Sequence, residues 1–163
     1  MRLLYLTPTA AMGGAERVLL DILSMVRTAQ PGWTIGLISA NDGSLVSDAR
    51  LFGIDVWVMP FPRDFAQLGD AGLVTPGTWV RFARHAIGGS VATLQYLREL
   101  RRTIGQFRPD VIHSNGIKMH LLGSLARPSA ASLVWHFHDY PSLRPVTNRL
   151  IKSLKYRCDA VVA

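Results

Sequence analysis

Leu3-Leu4-Tyr5-Leu6 runs directly into Thr7-Pro8-Thr9-Ala10-Ala11-Met12-Gly13-Gly14-Ala15-Glu16, and the reading of that junction decides the fold. Four consecutive apolar residues describe a strand covered on both faces, as in a parallel sheet. From Ala15 onward Val18, Leu19, Ile22, Leu23 and Val26 recur at helical spacing as far as Gln30-Pro31-Gly32. A buried strand therefore gives way to an amphipathic helix, with two adjacent glycines at the junction.

The same alternation continues. Trp33 to Ser39 reads as a second strand, Asn41-Asp42-Gly43-Ser44 as a turn or helix cap, Leu45 to Phe52 as a short helix closed by Gly53, and Ile54 to Met59 as a third strand. Between Pro60 and Gly77 three prolines and three glycines break the pattern, so a long, partly disordered connection is expected. Residues 78 to 107 read as helical with an interruption at Gly88-Gly89-Ser90. Leu94, Leu97, Leu100, Ile104 and Phe107 share one face and Arg98, Arg101 and Arg102 the other. Strand four is Val111-Ile112-His113, followed by Ser114-Asn115-Gly116 and a short helix to Ala126. Strand five is Ser132 to Phe137, followed by His138-Asp139-Tyr140-Pro141, a basic helix and a sixth strand starting at Ala160. Alternating strands and helices imply right-handed crossovers and a doubly wound, Rossmann-like α/β fold: a parallel sheet of about six or more strands with helices on both faces. A chain that stops inside a strand is expected to be a piece of a longer protein.

The 163 residues, 48% hydrophobic, suit one packed domain. No apolar run approaches the ~18 residues of a membrane-spanning helix. Thr7-Pro8 cuts the apolar patch after Arg2 short of a signal-peptide core, so it is a strand rather than a leader. The single Cys158 excludes an internal disulfide and fits a reducing, cytoplasmic setting. A net charge of +7 favours anionic partners. Arg144, Arg149, Lys152, Lys155 and Arg157 occur without an intervening acid, and six arginines between Pro76 and Arg108 face one acid, Glu99. Any one of them is explained by a solvated helix face; together they suggest a basic surface.

In open α/β sheets ligands bind beyond the carboxyl ends of the strands, which singles out Gly13-Gly14, His113-Ser114-Asn115 and His138-Asp139. Glycines there let backbone approach a ligand, and the helix N-terminus behind them offers unpaired N–H groups and partial positive charge. Gly13 equally well supplies a positive φ in a tight turn, with Glu16 set against the helix dipole. A dinucleotide fingerprint needs a third glycine and an acid ~20 residues on; the third glycine is missing and Asp42 lies 29 residues after Gly13. No Walker lysine is present. His113 and His138 end two strands at one rim and His136 lies deeper, but no further ligand has zinc-motif spacing, so hydrogen bonding outranks metal. Asp139 beside His138 can set the imidazole's tautomer or charge, or simply cap the next helix; the residues alone leave both readings open.

Taken together, Gly13-Gly14-Ala15-Glu16, Arg108-Pro109-Asp110-Val111-Ile112-His113-Ser114-Asn115, Trp135-His136-Phe137-His138-Asp139 and Cys158-Asp159-Ala160-Val161-Val162-Ala163 resemble the N-terminal domain of glycosyltransferase family 4, which has the GT-B fold. The resemblance implies that residues 1–163 are the acceptor-side Rossmann-like half of a retaining glycosyltransferase, with the C-terminal donor domain absent and the fragment inactive alone. It implies a nucleotide-sugar donor, a glycan or lipid-linked acceptor, and neither metal nor cofactor. It puts Gly13 and Gly14 near the donor diphosphate, His138 and Asp139 at the catalytic site beside a donor-sugar hydroxyl, and His113, Ser114 and Asn115 on the acceptor side. Asn115 departs from the family, which often has a second histidine there. Family members often work at membranes, so Trp79, Val80, Arg81, Phe82 and Arg84 are hypothesised to rest on an anionic inner membrane face, although a buried helix face explains the apolar ones equally. Two rival readings are a free-standing α/β binding module for an anionic ligand and a dinucleotide-dependent oxidoreductase domain. Nucleic acid is disfavoured, since only Trp79 and Phe82 offer aromatics near the arginines.

Overall fold

The computed structural model describes residues 1–66, 90–138 and 151–163. The order is β1 (Arg2–Thr7), α1 (Gly14–Ala29), β2 (Thr34–Ser39), α2 (Ser44–Leu51), β3 (Asp55–Val58), α3 (Arg63–Ala66), α4 (Ser90–Phe107), β4 (Val111–Asn115), α5 (Ile117–Ala126), β5 (Ser132–His136) and β6 (Ala160–Val162). A 3₁₀ turn at Lys155–Arg157 precedes β6. All six strands are parallel in the order β3-β2-β1-β4-β5-β6.

Period-2 alternation divides the sheet's side chains between two cores. Leu3, Tyr5, Ile35 and Leu37 pack against Leu19 and Leu23 of α1 and Leu45, Val46 and Ala49 of α2. Leu4, Leu6, Ile112, Leu133 and Trp135 point the other way, against Tyr96, Leu100, Ile104 and Phe107 of α4 and Met119 and Leu122 of α5. Because β1 is sandwiched between both layers, Leu3 to Leu6 read as an unbroken apolar run. The helical spacing predicted for α1 is observed, and α4 presents Leu100, Ile104 and Phe107 inward with Leu97 partly buried, while Arg98, Arg101 and Arg102 stay exposed. Leu94, expected on the apolar face, is instead exposed, before the helix reaches the core at Tyr96.

The boundaries moved in one instructive place. The reading that ended strand four at His113 is corrected: β4 continues through Ser114 and Asn115, which pair with Trp135 and His136 of β5. Polar side chains hid the extension, whereas the backbone ladder is indifferent to them once β1 and β5 flank the strand. Most of the irregular connection, Trp79 to Arg84, Asp139, Arg144 and Arg149 lie outside the described residues.

Candidate functional site at the sheet switch point

The chain runs outward from β1 to β2 and β3, then crosses back to β4 on the other side of β1. Reversal of strand order opens a crevice beyond the carboxyl ends of β1 and β4, where α1 leaves one face and α5 the other. The two loops at the crevice touch. Gly116 has φ +73°, and a Cβ there would stand 3.0 Å from Pro8 Cγ, so this turn requires glycine for both conformation and space. The β1 loop is also fastened to the loop after β2 and to the start of α2: Ala10 N–H donates to Asn41 Oδ1 at 2.6 Å, and Leu45 N–H donates to the Ala10 carbonyl at 3.2 Å.

The glycine pair has a different character. Gly13 is extended, with φ −126° and ψ −165°, so the tight-turn reading with a positive φ is corrected. A Cβ on Gly13 would meet only the Glu16 carboxylate, turned back over it at 2.8 Å, and one on Gly14 would meet nothing within 4 Å. No side chain caps α1, whose first turn carries Glu16. Neither backbone conformation nor internal packing therefore demands two glycines here.

Across β1, β4 and β5 an aromatic row climbs to the rim. Tyr5 lies 5.0 Å from His113 between ring centroids, His113 stacks on His136 at 5.2 Å and 26°, and His136 lies 4.1 Å from His138. His138 is exposed at the top, and its Nε2 lies 3.4 Å from Oδ1 of the buried Asn115. Burial, reinforced by His136 and His138, lowers the His113 pKa to about 4. Burial and His138 lower that of His136 as well. Both rings are thereby kept neutral near pH 7, suited to hydrogen bonding rather than to ion pairing. His113 Nε2, His136 Nδ1 and Asn115 Nδ2 are buried without a hydrogen-bond partner. Among the described residues, no group of three or more His, Cys, Asp or Glu is placed to hold a metal ion.

The expectation that His113 ends its strand at the same rim as His138 is corrected: β4 runs on to Asn115, which meets His138, and His113 pairs with Val134 lower in the sheet. Ser114 is not brought to the rim. It points to the opposite face, fully buried, where its hydroxyl donates to the Val134 carbonyl at 3.1 Å and lies 2.8 Å from His120 Nδ1. His120 is fully buried beside Trp135 and Phe137, and burial drives its pKa down to about 3.

Sequence reasoning missed a groove of about 340 Å³ at this rim, lined by Pro8, Thr9, Ala40, Asn41, Pro60, Phe61, Ala66 and Lys118. Lys118 Nζ donates to the Ala66 carbonyl and stands over the Phe61 ring at 6.0 Å. Pro60 and Phe61 immediately after β3 were the available signal. A larger hollow of about 720 Å³, lined by Arg2, Arg102 and Arg108, lies at the amino ends of the strands, away from the switch point. The basic surface is partly spent on internal work. Arg2 Nε donates to the Phe107 carbonyl at 2.6 Å, Arg101 to Leu125 and Arg157 to Ser124, each satisfying carbonyls that a helix end leaves unpaired.

A doubly wound parallel sheet with glycines at its first helix and hydrogen-bonding side chains across the switch point defines a Rossmann-like α/β domain. Residues 13–163 match the model of the glycosyl transferase 4-like domain, and the chain belongs to that family. No curated protein matches it in sequence. Among solved structures with the GT-B fold, it is similar to Anabaena Alr3699/HepE in complex with UDP-glucose, with TM-score 0.66, 23% identity, and coverage of 100% of this chain and 37% of that one. It also resembles Acinetobacter baumannii MurG, with TM-score 0.58, 14% identity, and coverage of 98% and 40%. The lipopolysaccharide outer core galactosyltransferase WaaB gives TM-score 0.59 and 14% identity, covering 100% of this chain and 39% of that chain. The chain thus spans about two-fifths of the length of these structures.

Proposed function

We propose that this chain is the acceptor-side half of a retaining, metal-independent glycosyltransferase that moves a sugar from a nucleotide-sugar to a glycan or lipid-linked acceptor, and that it does not catalyse transfer alone. The observation that carries the reading is the glycine pair: the fold leaves open space at Gly14 and asks for no glycine there. A ligand approaching the α1 N-terminus accounts for it. Uncapped N–H groups and the positive end of the helix dipole would neutralise a diphosphate and stabilise the charge it gains as the bond from the anomeric carbon to its oxygen breaks.

In this reading His138 faces a hydroxyl of the transferring sugar, with Asp139 orienting the site. The acceptor enters past the His113 and Asn115 side and the groove bounded by Phe61, Asn41 and Lys118. The acceptor hydroxyl forms the new bond to the anomeric carbon and gives up its proton, which the departing diphosphate takes. HepE, crystallised with UDP-glucose, supports a uridine-diphosphate sugar as the first donor to try. The protein would work in the cytoplasm, peripherally on the inner membrane face where its basic residues meet anionic lipid. Among the described residues no helix is long and apolar enough to cross a membrane.

An amide NMR titration of the 163-residue protein with UDP-glucose, GDP-mannose and NAD in parallel tests the reading. Weak shifts confined to the surroundings of Gly13, Gly14 and His138 with a nucleotide-sugar are expected. Saturable NAD binding at micromolar affinity would overturn it, since the 3-2-1-4-5-6 strand order is equally that of dinucleotide-binding domains.

A further inference from the structure

Within the proposed donor site, on which this inference rests, one contact says what kind of group His138 meets. Asn115 ends β4 opposite His136 of β5 and is buried, with 3% exposure. Its Oδ1 faces His138 Nε2 at 3.4 Å. An amide oxygen can only accept, so the ring nitrogen must bring the proton. The other constraint on the ring is His136, whose centroid lies 4.1 Å away and whose burial keeps it neutral. That neighbour fixes the ring's position without competing for its proton. An amide does not titrate, so the acceptor itself gains no charge as the pH changes.

We propose that Asn115 is a positioning residue that holds His138 with Nε2 protonated and Nδ1 free to accept a hydrogen bond from a ligand hydroxyl. A neutral imidazole has one donor and one acceptor nitrogen, and Asn115 uses the donor. The nitrogen left for a ligand seeks an O–H, such as a sugar hydroxyl, and disfavours a phosphate oxygen, which only accepts. Asn115 Nδ2 is buried and unpartnered, so Oδ1 is the atom through which this side chain reaches the rim. Asparagine at this position thus does what a further titrating imidazole beside His113, His136 and His138 would not: it fixes one tautomer without adding another group that can charge.

The test is the ring ¹⁵N spectrum of the labelled 163-residue protein at pH 8, with the His138 signals assigned by His138→Gln. The expected wild-type pattern has protonated Nε2 and unprotonated Nδ1. Asn115→Leu is expected to shift the tautomer ratio about fivefold toward the other form, the worth of one ordinary hydrogen bond. Asn115→Asp, which still accepts, should retain the wild-type tautomer. A wild-type ring protonated at Nδ1, an unchanged ratio in Asn115→Leu, or loss of the Nε2–H form in Asn115→Asp each overturns the proposal. If Asn115→Leu does not fold, the wild-type and Asn115→Asp spectra decide it. A nucleotide-sugar titration that fails would sink the donor-site reading while leaving this tautomer result standing, so the two failures are distinguishable.

Discussion

Lowering the pH from 7.5 to 5 should cost this protein about 2 kcal/mol of stability through His120 alone. The ring is fully buried between Trp135 and Phe137 with Nδ1 against the Ser114 hydroxyl, and its pKa falls to about 3. Burial is the main cause, followed by His113, His136 and His138. In the unfolded chain the same imidazole titrates near ~6.5. Between those values the unfolded state binds a proton that the folded state refuses, so stability is full above ~6.5 and declines as pH falls toward 3. At pH 5 the interval is ~1.5 pH units, and at ~1.36 kcal/mol per unit the loss is ~2 kcal/mol. Against a typical total of ~5–15 kcal/mol, that is readily measured. Urea denaturation at both pH values, compared with His120→Leu, isolates the effect: the variant starts less stable but should lose ~2 kcal/mol less on acidification. His113, with a pKa of about 4, contributes in the same direction in both proteins and cancels in the comparison. Equal losses for wild type and variant would refute the claim that His120 is held neutral by burial.

Gly14→Ala should leave the urea midpoint unchanged or raise stability by up to ~1 kcal/mol, since alanine is the better helix former and its Cβ meets no atom within 4 Å. The same variant should weaken UDP-glucose binding at least about tenfold in an NMR titration, ~1.4 kcal/mol; unchanged affinity would mean the space is not used by the donor. Gly116→Ala should cost ~1–3 kcal/mol by chemical denaturation, because its φ of +73° and the Pro8 ring 3.0 Å away both oppose a side chain. Leu100→Ala, fully buried against the sheet on α4, should cost ~2–5 kcal/mol by the same assay while leaving donor-induced shifts intact at saturating ligand.

Much of the fold was legible because its elements announce themselves locally. The apolar runs at Leu3 to Leu6 and Val111 to Ile112, and the helical spacing from Val18 to Val26, follow from burial on two faces or on one stripe. The candidate site was legible only as a set of strand ends. Gly13, Gly14, Asn115 and His138 were singled out, yet nothing local revealed that Gly13 needs no positive φ, that Ser114 turns away from the rim, or that His120 is buried. Those facts depend on which face a residue takes and what lies over it.

The sequence by itself determined the alternation of strand and helix, hence a parallel doubly wound sheet, because hydrophobic period is a property of neighbours along the chain. Tertiary structure decided the 3-2-1-4-5-6 strand order and the length of β4. It also decided the meeting of Asn115 with His138 and the capping of distant helix ends by Arg2, Arg101 and Arg157. These join residues far apart in sequence, through backbone ladders and burial that no local pattern encodes. A polar residue such as Asn115 or His120 takes its role from the partners the fold brings to it.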